Sequence, residues 1–294
     1  MRSVVSTLLF NCKTMALAQT PSDRYVRVGQ INTRYWTLGN QGTTVILLHG
    51  IGSCVETWTH NINVLAQDHH IYAIDLLGAG RSDKPIATYS LTYLARFVKE
   101  FMDVMSIEFA TLIGSSLGGG VALQFALLFP QKVDKLVLVN SLGLGREITL
   151  TLRLAILPFV GKLFRPSRRG TALALKQSVY NSTLISPELI ELYYEIATLT
   201  GAWSTLLAII KTNINLLGVK TGVFHPIVNG LATIEAPTLV FWGQQDRIIP
   251  VAHAAVADKK LPNVRLHIFD LCGHWSQLEH SEEFNTVVLN FLAK

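Results

Sequence analysis

Residues 110–120 read ATLIGSSLGGG, in which a Gly-x-Ser-x-Gly pentapeptide follows an apolar run and precedes a helical pattern. A serine in this context occupies a sharp strand-to-helix turn that projects its hydroxyl from the edge of a sheet. Glycines two residues away on either side avoid clashes within that turn. The N-terminus of the following helix favours the negative charge that develops nearby during acyl transfer. The stretch therefore predicts that Ser116 is a nucleophile at the end of a strand.

The same alternation of strand and helix continues on both sides of this turn. Continuous apolar runs rich in β-branched residues are typical of strands covered on both faces, and helical patterns separate them. Two earlier runs, 25–28 and 33–36, alternate like an antiparallel pair. The pattern predicts an α/β fold with a mostly parallel sheet and helices on both faces. The predicted buried strands are 44–48, 71–74, 110–113, 136–139, 237–242 and 264–269, and the helices are 91–105, 117–129, 253–260 and 282–292.

One long segment interrupts the alternation. Between residues 145 and 229 the sequence shows helical patterns and no convincing strand, which is too long for a simple loop. We predict a helical cap over the C-terminal edge of the sheet, where open α/β sheets bind ligands. The core domain would then comprise residues 23–144 and 230–294. The cap helices are predicted at 152–164, 172–180, 187–198 and 203–217.

Composition excludes several functional classes. The 294 residues are 49% hydrophobic and 15% charged, with a formal net charge of +5, so the chain is not a disordered one. The sequence contains no stripe of basic residues with interleaved aromatics, so nucleic-acid binding is not expected. Cys12, Cys54 and Cys272 form neither a disulfide framework nor a metal-binding pair, which favours a reducing compartment and a cytoplasmic location.

The first 22 residues allow two interpretations. Arg2 and the apolar residues after it resemble a targeting segment, but Asn11 and Lys13 interrupt the apolar run. The segment is therefore predicted to be disordered, or to be an incorrect start with Met15 as the first residue, with targeting as the alternative.

A nucleophilic serine needs a base and a residue that orients the base. The chain order for this fold is serine, then aspartate or glutamate, then histidine. Asp246 follows the strand at 237–242, and His274 follows the strand at 264–269, so both lie at the same sheet edge as Ser116. We predict a triad of Ser116, Asp246 and His274, and we consider Asp270 too close to His274 in sequence to orient it.

The sequence also predicts the two backbone N–H groups that would stabilise the oxyanion. The sequence LHGIG at 48–52 follows a strand, and its glycines let the backbone approach a substrate. We assign the two donors to the backbone N–H groups of Ile51 and Leu117. His49 and the segment DLLGAGRS at 75–82 are interpreted as structural support for the site.

The motifs HGIG, DLLGAGRS, GSSLGG, GQQD and GHW occur in the order found in the α/β-hydrolase superfamily, which the chain resembles from Arg24 onward. Within it, residues 140–145, 242–247 and 265–280 are similar to the meta-cleavage-product hydrolases. Those enzymes cut a carbon–carbon bond in vinylogous diketo acids formed during aromatic-ring degradation. The resemblance implies an α/β-hydrolase fold and a serine hydrolase that needs no metal or organic cofactor.

Three departures from that family concern substrate recognition. Ser115 replaces the asparagine that usually precedes the nucleophile, and Ser53-Cys54 follows Gly52 where the family has Pro-Gly. Alignment of residues 184–189 places Tyr193 where a family arginine binds the substrate carboxylate. Loss of such a contact costs about 2–5 kcal/mol. The residues that could replace it are Arg165, Arg168, Arg169 and Lys176.

The sequence-based hypothesis is a serine hydrolase that cleaves a carboxylic ester with an apolar acyl or alcohol part. Carbon–carbon bond hydrolysis of a diketone is the alternative enzyme activity, and a ligand-binding or receptor protein on the same scaffold is the alternative of another class. The candidate substrate-binding residues are Ser115, Trp58, Tyr193 and Trp275, and either tryptophan could instead fill the core.

The cap also allows two interpretations. Residues 152–160 are mostly apolar and are followed by Lys162, Arg165, Arg168 and Arg169. This pattern fits peripheral contact with an anionic membrane, or a cap helix with a solvated basic end. The oligomeric state stays open.

Overall fold

The computed structural model describes residues 20–163 and 165–294, and of residues 161–163 it describes the backbone alone. The interpretations of residues 1–22 therefore fall largely outside the described residues. The strands are β1 (Arg24–Val28), β2 (Ile31–Leu38), β3 (Thr44–Leu48), β4 (His70–Ile74), β5 (Ala110–Ser115), β6 (Val133–Val139), β7 (Ile214–Asn215), β8 (Gly218–Val219), β9 (Thr238–Gly243) and β10 (Val264–Phe269).

The main sheet of the described chain has eight strands in the order β1-β2-β4-β3-β5-β6-β9-β10. The pairs β1–β2 and β2–β4 are antiparallel, and all other neighbours are parallel. The predicted α/β class with a mostly parallel sheet is confirmed. Because β4 and β5 lie on opposite sides of β3, their C-terminal ends open a crevice at the point where ligands bind in such sheets.

Helices cover both faces of the sheet. In β3, Ile46 and Leu48 belong to one core cluster and Val45 and Leu47 to the other, since successive side chains point to opposite faces. The α-helices are α1 (Ile62–Leu65), α2 (Leu91–Val104), α3 (Leu117–Leu128), α4 (Leu150–Leu154), α5 (Pro158–Leu163), α6 (Arg168–Gln177), α7 (Pro187–Thr198), α8 (Ala202–Asn213), α9 (Thr221–Gly230), α10 (Ala254–Lys260), α11 (Ser276–Glu279) and α12 (Ser281–Leu292).

Short 3₁₀ helices complete the structure at Val55–Trp58, Pro130–Lys132, Ser182–Leu184, Leu231–Thr233 and Val251–His253. No helix among the described residues is long and apolar enough to cross a bilayer. Helix α3 packs against α2 and against strands β3, β5 and β6, so it is apolar around most of its circumference.

Between β6 and β9 the described chain forms α4 to α9 and a small hairpin, which corrects two sequence-based expectations. The helix predicted at 152–164 is divided into α4 and α5, because Pro158 begins a new helix instead of continuing the first. The helix predicted to reach Leu217 ends at Asn213, and β7 pairs with β8 in an antiparallel hairpin. Gly218, with a φ of +120°, allows the tight hairpin that replaces the last helical turn.

Candidate active site

Ser116 lies at the strained turn between β5 and α3. Its φ is +54° and its ψ is −115°, a conformation that non-glycine residues rarely adopt. A Cβ atom at Gly114 would lie 2.3 Å from the carbonyl oxygen of Gly118, and one at Gly118 would lie 2.2 Å from that of Leu48. The backbone N–H of Ser116 donates to Val139 at 2.9 Å. Both glycines of the pentapeptide are therefore required by close backbone contacts.

The carboxylate of Asp246 is fully buried and holds the ring of His274. Nδ1 of His274 lies 2.8 Å from Oδ2 of Asp246. The same oxygen accepts a 2.8 Å hydrogen bond from the side-chain amide of Asn140, and Oδ1 accepts the backbone N–H groups of Ile248 and Ile249 at 2.8 and 3.0 Å. Because the carboxylate receives donors on both oxygens, it remains fixed while it orients the imidazole.

Asn140 is a site residue that sequence analysis did not assign. It immediately follows β6 and has a φ of +47°. Its side-chain oxygen accepts a 2.7 Å hydrogen bond from the hydroxyl of Ser276. The signal was its position at a strand end beside the glycine-containing segment 140–145. Asp270, by contrast, is exposed and accepts a hydrogen bond from Gln245 at 2.8 Å.

Glu279 connects the loop of His274 to the segment after α6. Its Oε1 accepts the N–H of Gly273 at 2.7 Å, and its Oε2 accepts those of Tyr180 and Asn181 at 2.7 and 3.2 Å. The backbone N–H of His274 itself donates to Ser178 at 2.8 Å. Burial raises the pKa of Glu279, although the three N–H groups oppose this shift. The segment 178–181 therefore helps to position the imidazole.

Replacing Glu279 with alanine is expected to lower kcat by about 10- to 100-fold, since a small displacement of a catalytic group has such effects. Three backbone N–H groups would lose their acceptor, so the melting temperature should also fall. The exposed Glu282 at the start of α12 supplies the control variant Glu282→Ala. Steady-state kinetics and thermal unfolding measure both effects, and an unchanged kcat in Glu279→Ala would contradict the positioning role.

The hydroxyl of Ser116 and the ring of His274 are not hydrogen-bonded to each other in the described structure. Ser116 is 7% exposed and His274 is 4% exposed, so both side chains are nearly buried. Such contacts are often loose in the absence of substrate and tighten in the reactive complex. Of the predicted triad, the contact between Asp246 and His274 is present, and the contact between Ser116 and His274 would have to form when substrate binds.

Ser116 shares a small cavity with both predicted oxyanion donors. Ile51, Ser116 and Leu117 line a space of about 10 Å³, enough for about one water molecule. A Cβ atom at Gly50 would lie 3.1 Å from that of Ser116, so the 48–52 loop approaches the serine closely. The other lining residues, which sequence analysis did not assign, are Leu142, Ile148, Leu152, Ile209, Asn213 and Ile214.

A buried ion network lies next to the loop at residues 48–52, which carries the predicted oxyanion donor Ile51. Arg34 is 2% exposed and donates to both carboxylate oxygens of Glu56, at 2.8 and 3.0 Å, and to Asp75 at 3.1 Å. Asp75 in turn accepts the N–H of Val55 at 2.8 Å. Burial opposes ionisation of Glu56, but the hydrogen bonds from Arg34 outweigh it and hold the pKa at about 2. The network therefore holds Val55 and Glu56 in place shortly after the 48–52 loop.

His49 has the supporting role that the sequence predicted. Its Nε2 accepts the backbone N–H of Leu76 at 3.0 Å, and its Nδ1 lies 2.7 Å from the carbonyl oxygen of Gly50. Burial lowers its pKa, which favours the neutral ring that these two contacts require.

The four candidate substrate-binding side chains lie away from the Ser116 cavity. Tyr193 is buried, and its hydroxyl lies 2.9 Å from that of Ser53; its ring packs against Trp275 at 5.6 Å between centroids. Trp58 is fully buried in the core, and Ser115 is buried at the end of β5. Helices α4 and α8 contribute lining residues to the Ser116 cavity, whereas Tyr193 of α7 packs in a separate apolar cluster with Cys54.

A second cavity of about 40 Å³ lies beside α7, whose Ile196 and Ala197 line it. It is lined by Gly52, Ser53 and Ile209, and Ile209 lines the Ser116 cavity as well, so the two spaces are neighbours. Among the described residues that line the two cavities, Lys84 is the only one with a cationic side chain. Its ammonium group donates to the carbonyl oxygens of Gly80 and Ser82 at 2.7 and 2.8 Å, which leaves one N–H for another acceptor.

Comparison with known proteins shows which family this chain belongs to. The family described as alpha/beta hydrolase fold matches residues 43–281. The chain belongs to the α/β-hydrolase family. It is therefore a hydrolase, as the motifs predicted.

Among its relatives is the 2-hydroxy-6-oxononadienedioate/2-hydroxy-6-oxononatrienedioate hydrolase of Paraburkholderia xenovorans, 30% identical over 95% of this chain and 98% of that protein. A meta-cleavage product hydrolase of Pseudomonas fluorescens has a TM-score of 0.80 and 27% identity, and the match covers 92% of this chain and 97% of that one. A membrane phospholipase A, described as a bacterial virulence factor, has a TM-score of 0.81 and 26% identity, over 93% and 86% of the two chains.

The predicted resemblance to the meta-cleavage-product hydrolases is thereby confirmed. These relatives favour carbon–carbon bond hydrolysis, which the sequence-based hypothesis placed second, over the ester hydrolysis that it placed first.

Proposed function

We propose that this α/β-hydrolase uses Ser116 as nucleophile, His274 as general base and Asp246 as the residue that orients the base. The supporting observations are the strained turn at Ser116 and the 2.8 Å contact between the buried carboxylate of Asp246 and Nδ1 of His274. With Nδ1 held by Asp246, Nε2 is the ring nitrogen of His274 that would accept the proton of the serine hydroxyl. Residues 145–229 act as the cap over this site.

The reaction we propose is hydrolysis of a carbon–carbon bond next to a carbonyl group in a conjugated diketone. The Ser116 oxygen attacks the carbonyl carbon while His274 accepts the proton, and the backbone N–H groups of Ile51 and Leu117 stabilise the oxyanion. The carbon–carbon bond then breaks, and its electron pair moves onto the second, conjugated carbonyl as an enolate, which the imidazolium of His274 protonates. Water, deprotonated by His274, hydrolyses the remaining acyl-enzyme.

The observation that carries this choice of bond is the similarity to a carbon–carbon bond hydrolase over 95% of this chain and 98% of that relative. The cleavage needs only what an ester hydrolase also supplies, namely a nucleophile, a base and an oxyanion site. What differs is that the leaving carbanion must be protonated, which the same imidazole can do.

Ester hydrolysis is the second candidate because the lining of the Ser116 cavity specifically favours it. The Ser116 cavity is lined by aliphatic residues, and neither Arg nor Lys is among its described lining residues. Tyr193 aligns with the family's carboxylate-binding arginine, and its hydroxyl is hydrogen-bonded to that of Ser53. An uncharged apolar ester fits such a cavity, and one structural neighbour is a phospholipase.

A substrate comparison tests the choice of bond. The purified protein is offered a dienoic diketo acid, an uncharged diketone and a series of p-nitrophenyl esters. We expect kcat/KM to be at least about tenfold higher for a diketo substrate, equivalent to about 1.4 kcal/mol of transition-state stabilisation. A preference of the same size for an ester would replace the first candidate with the second.

Variants at Lys84 show within the same experiment whether a substrate carboxylate is recognised. If the acid binds at the second cavity, Lys84→Met should raise KM for the diketo acid by about tenfold or more and leave the uncharged substrates unaffected. Lys99→Met, at a partly exposed lysine of α2 that pairs with Asp103, is the matched control.

A further inference from the structure

An apolar surface is exposed on the outer side of the cap. Leu216 and Leu217, at the tip of the β7–β8 hairpin, are 47% and 63% exposed, and Leu150 and Leu154 of α4 are 58% and 40% exposed. Helix α4 packs against β7, and Nε of Arg153 donates to the carbonyl oxygen of Leu216 at 2.6 Å, so the two elements form one surface. We call these four leucines the hairpin surface. Hairpin tips normally carry polar residues, so paired leucines there are unusual.

The sequence around the hairpin surface is strongly basic. Residues 145–176 contain seven Lys and Arg residues and one acidic residue, and residues 203–230 contain two Lys and no acidic residue. Of the charged residues in these two segments, Glu147 contacts His253 at 2.8 Å, and Arg168 is paired with Glu191 of α7 at 2.6 Å. Apolar side chains on segments with an excess of cationic residues complement the chemistry of an anionic lipid surface, where acyl chains lie beneath negatively charged phosphates.

The hairpin surface is continuous with the Ser116 cavity. Leu152, on the same helix as Leu150 and Leu154, lines that cavity, and so does Ile214 at the start of β7. The elements that present leucines outward therefore present apolar side chains inward to Ser116. Because the cavity holds about one water molecule, these elements must separate before a substrate can reach the serine.

We propose that the hairpin surface docks on an anionic membrane and that an apolar substrate passes from the lipid between α4 and β7 to Ser116. Docking places the leucines among the lipid headgroups, and the basic residues lie against the phosphates. The delivery of substrate rests on the proposed function, whereas docking is measured without any substrate. Failure of one can therefore be distinguished from failure of the other.

Co-sedimentation with lipid vesicles tests the docking. We expect the full chain to bind phosphatidylcholine vesicles that contain phosphatidylglycerol, to bind pure phosphatidylcholine weakly, and to dissociate as salt is raised. The double variant Leu216→Ser, Leu217→Ser should lose about tenfold or more of the partition coefficient, because two apolar side chains no longer insert. Its activity on a soluble substrate should stay at the wild-type level, since neither leucine lines the site.

Phe109→Ser provides the matched control. Phe109 is 56% exposed and immediately precedes β5, so it lies at the sheet edge opposite Ser116. The proposal is overturned if the wild type does not bind anionic vesicles, if both lipid compositions bind equally, or if the double variant binds as well as Phe109→Ser. It is also overturned if light scattering shows a wild-type dimer that the double variant converts to a monomer, since a second copy would then cover the leucines.

Discussion

Ser116→Ala is expected to lower kcat/KM by about 10⁴-fold or more, because removal of the nucleophile leaves only binding and the oxyanion donors. The wild-type protein should also react covalently with a fluorophosphonate probe, and the variant should not. Labelled protein is detected by in-gel fluorescence, and hydrolysis is measured on the same preparations. Alanine at this position keeps the backbone turn, so the melting temperature serves as the check on folding.

The neighbouring serine supplies the matched control for this variant. Ser115→Ala removes a hydroxyl from the last residue of β5 but leaves the turn intact, and labelling should persist. If the native protein failed to react with the probe, or if Ser116→Ala still reacted, the nucleophile would be assigned wrongly. The first result would favour the alternative of a ligand-binding protein on a hydrolase scaffold.

Asp246→Asn is expected to lower kcat by about 10⁴-fold with little change in KM. The asparagine amide can donate to Nδ1 of His274 and so favours the ring tautomer that carries its proton on Nε2, which cannot accept the proton of Ser116. The buried carboxylate now accepts from Asn140, Ile248 and Ile249, so this variant should be somewhat less stable as well. Kinetics and thermal unfolding separate the two effects.

Asp270→Asn is the matched control, because Asp270 precedes His274 by four residues yet is exposed and bonded to Gln245. It should retain activity within about twofold, as surface substitutions usually do. Comparable loss of kcat in both variants would contradict the assignment of Asp246. Loss in Asp270→Asn alone would reverse it.

Much of the candidate site could be predicted because its residues stand at the ends of strands. Ser116, Asp246 and His274 each follow an apolar strand run, and parallel strands bring their C-terminal ends to one edge. The substrate-binding residues could not be predicted in the same way. Tyr193 was aligned with a family residue in sequence, but its hydroxyl is engaged by Ser53, which is 140 residues away in the chain.

The hairpin within residues 145–229 shows a related limit. The apolar periodicity of α8 continues past Asn213, so the pattern alone extends the helix to Leu217. The side-chain amide of Asn213 donates to the carbonyl oxygens of Tyr89 and Ile209, and the chain then turns into β7. A contact with residue 89 in the core domain thus coincides with the helix end.

What the sequence by itself determined is the strained turn at Ser116, the parallel sheet and the order of the three candidate catalytic residues. These depend on local backbone sterics and on side-chain periodicity, which act over a few residues. Only the tertiary structure decided which side chains line the Ser116 cavity, that Glu279 connects the His274 loop to residues 180–181, and that leucines of α4 and the hairpin form one exposed surface. Those features arise where the segment between β6 and β9 packs against the core, and such packing depends on shape and hydrogen-bond satisfaction between residues far apart in the chain.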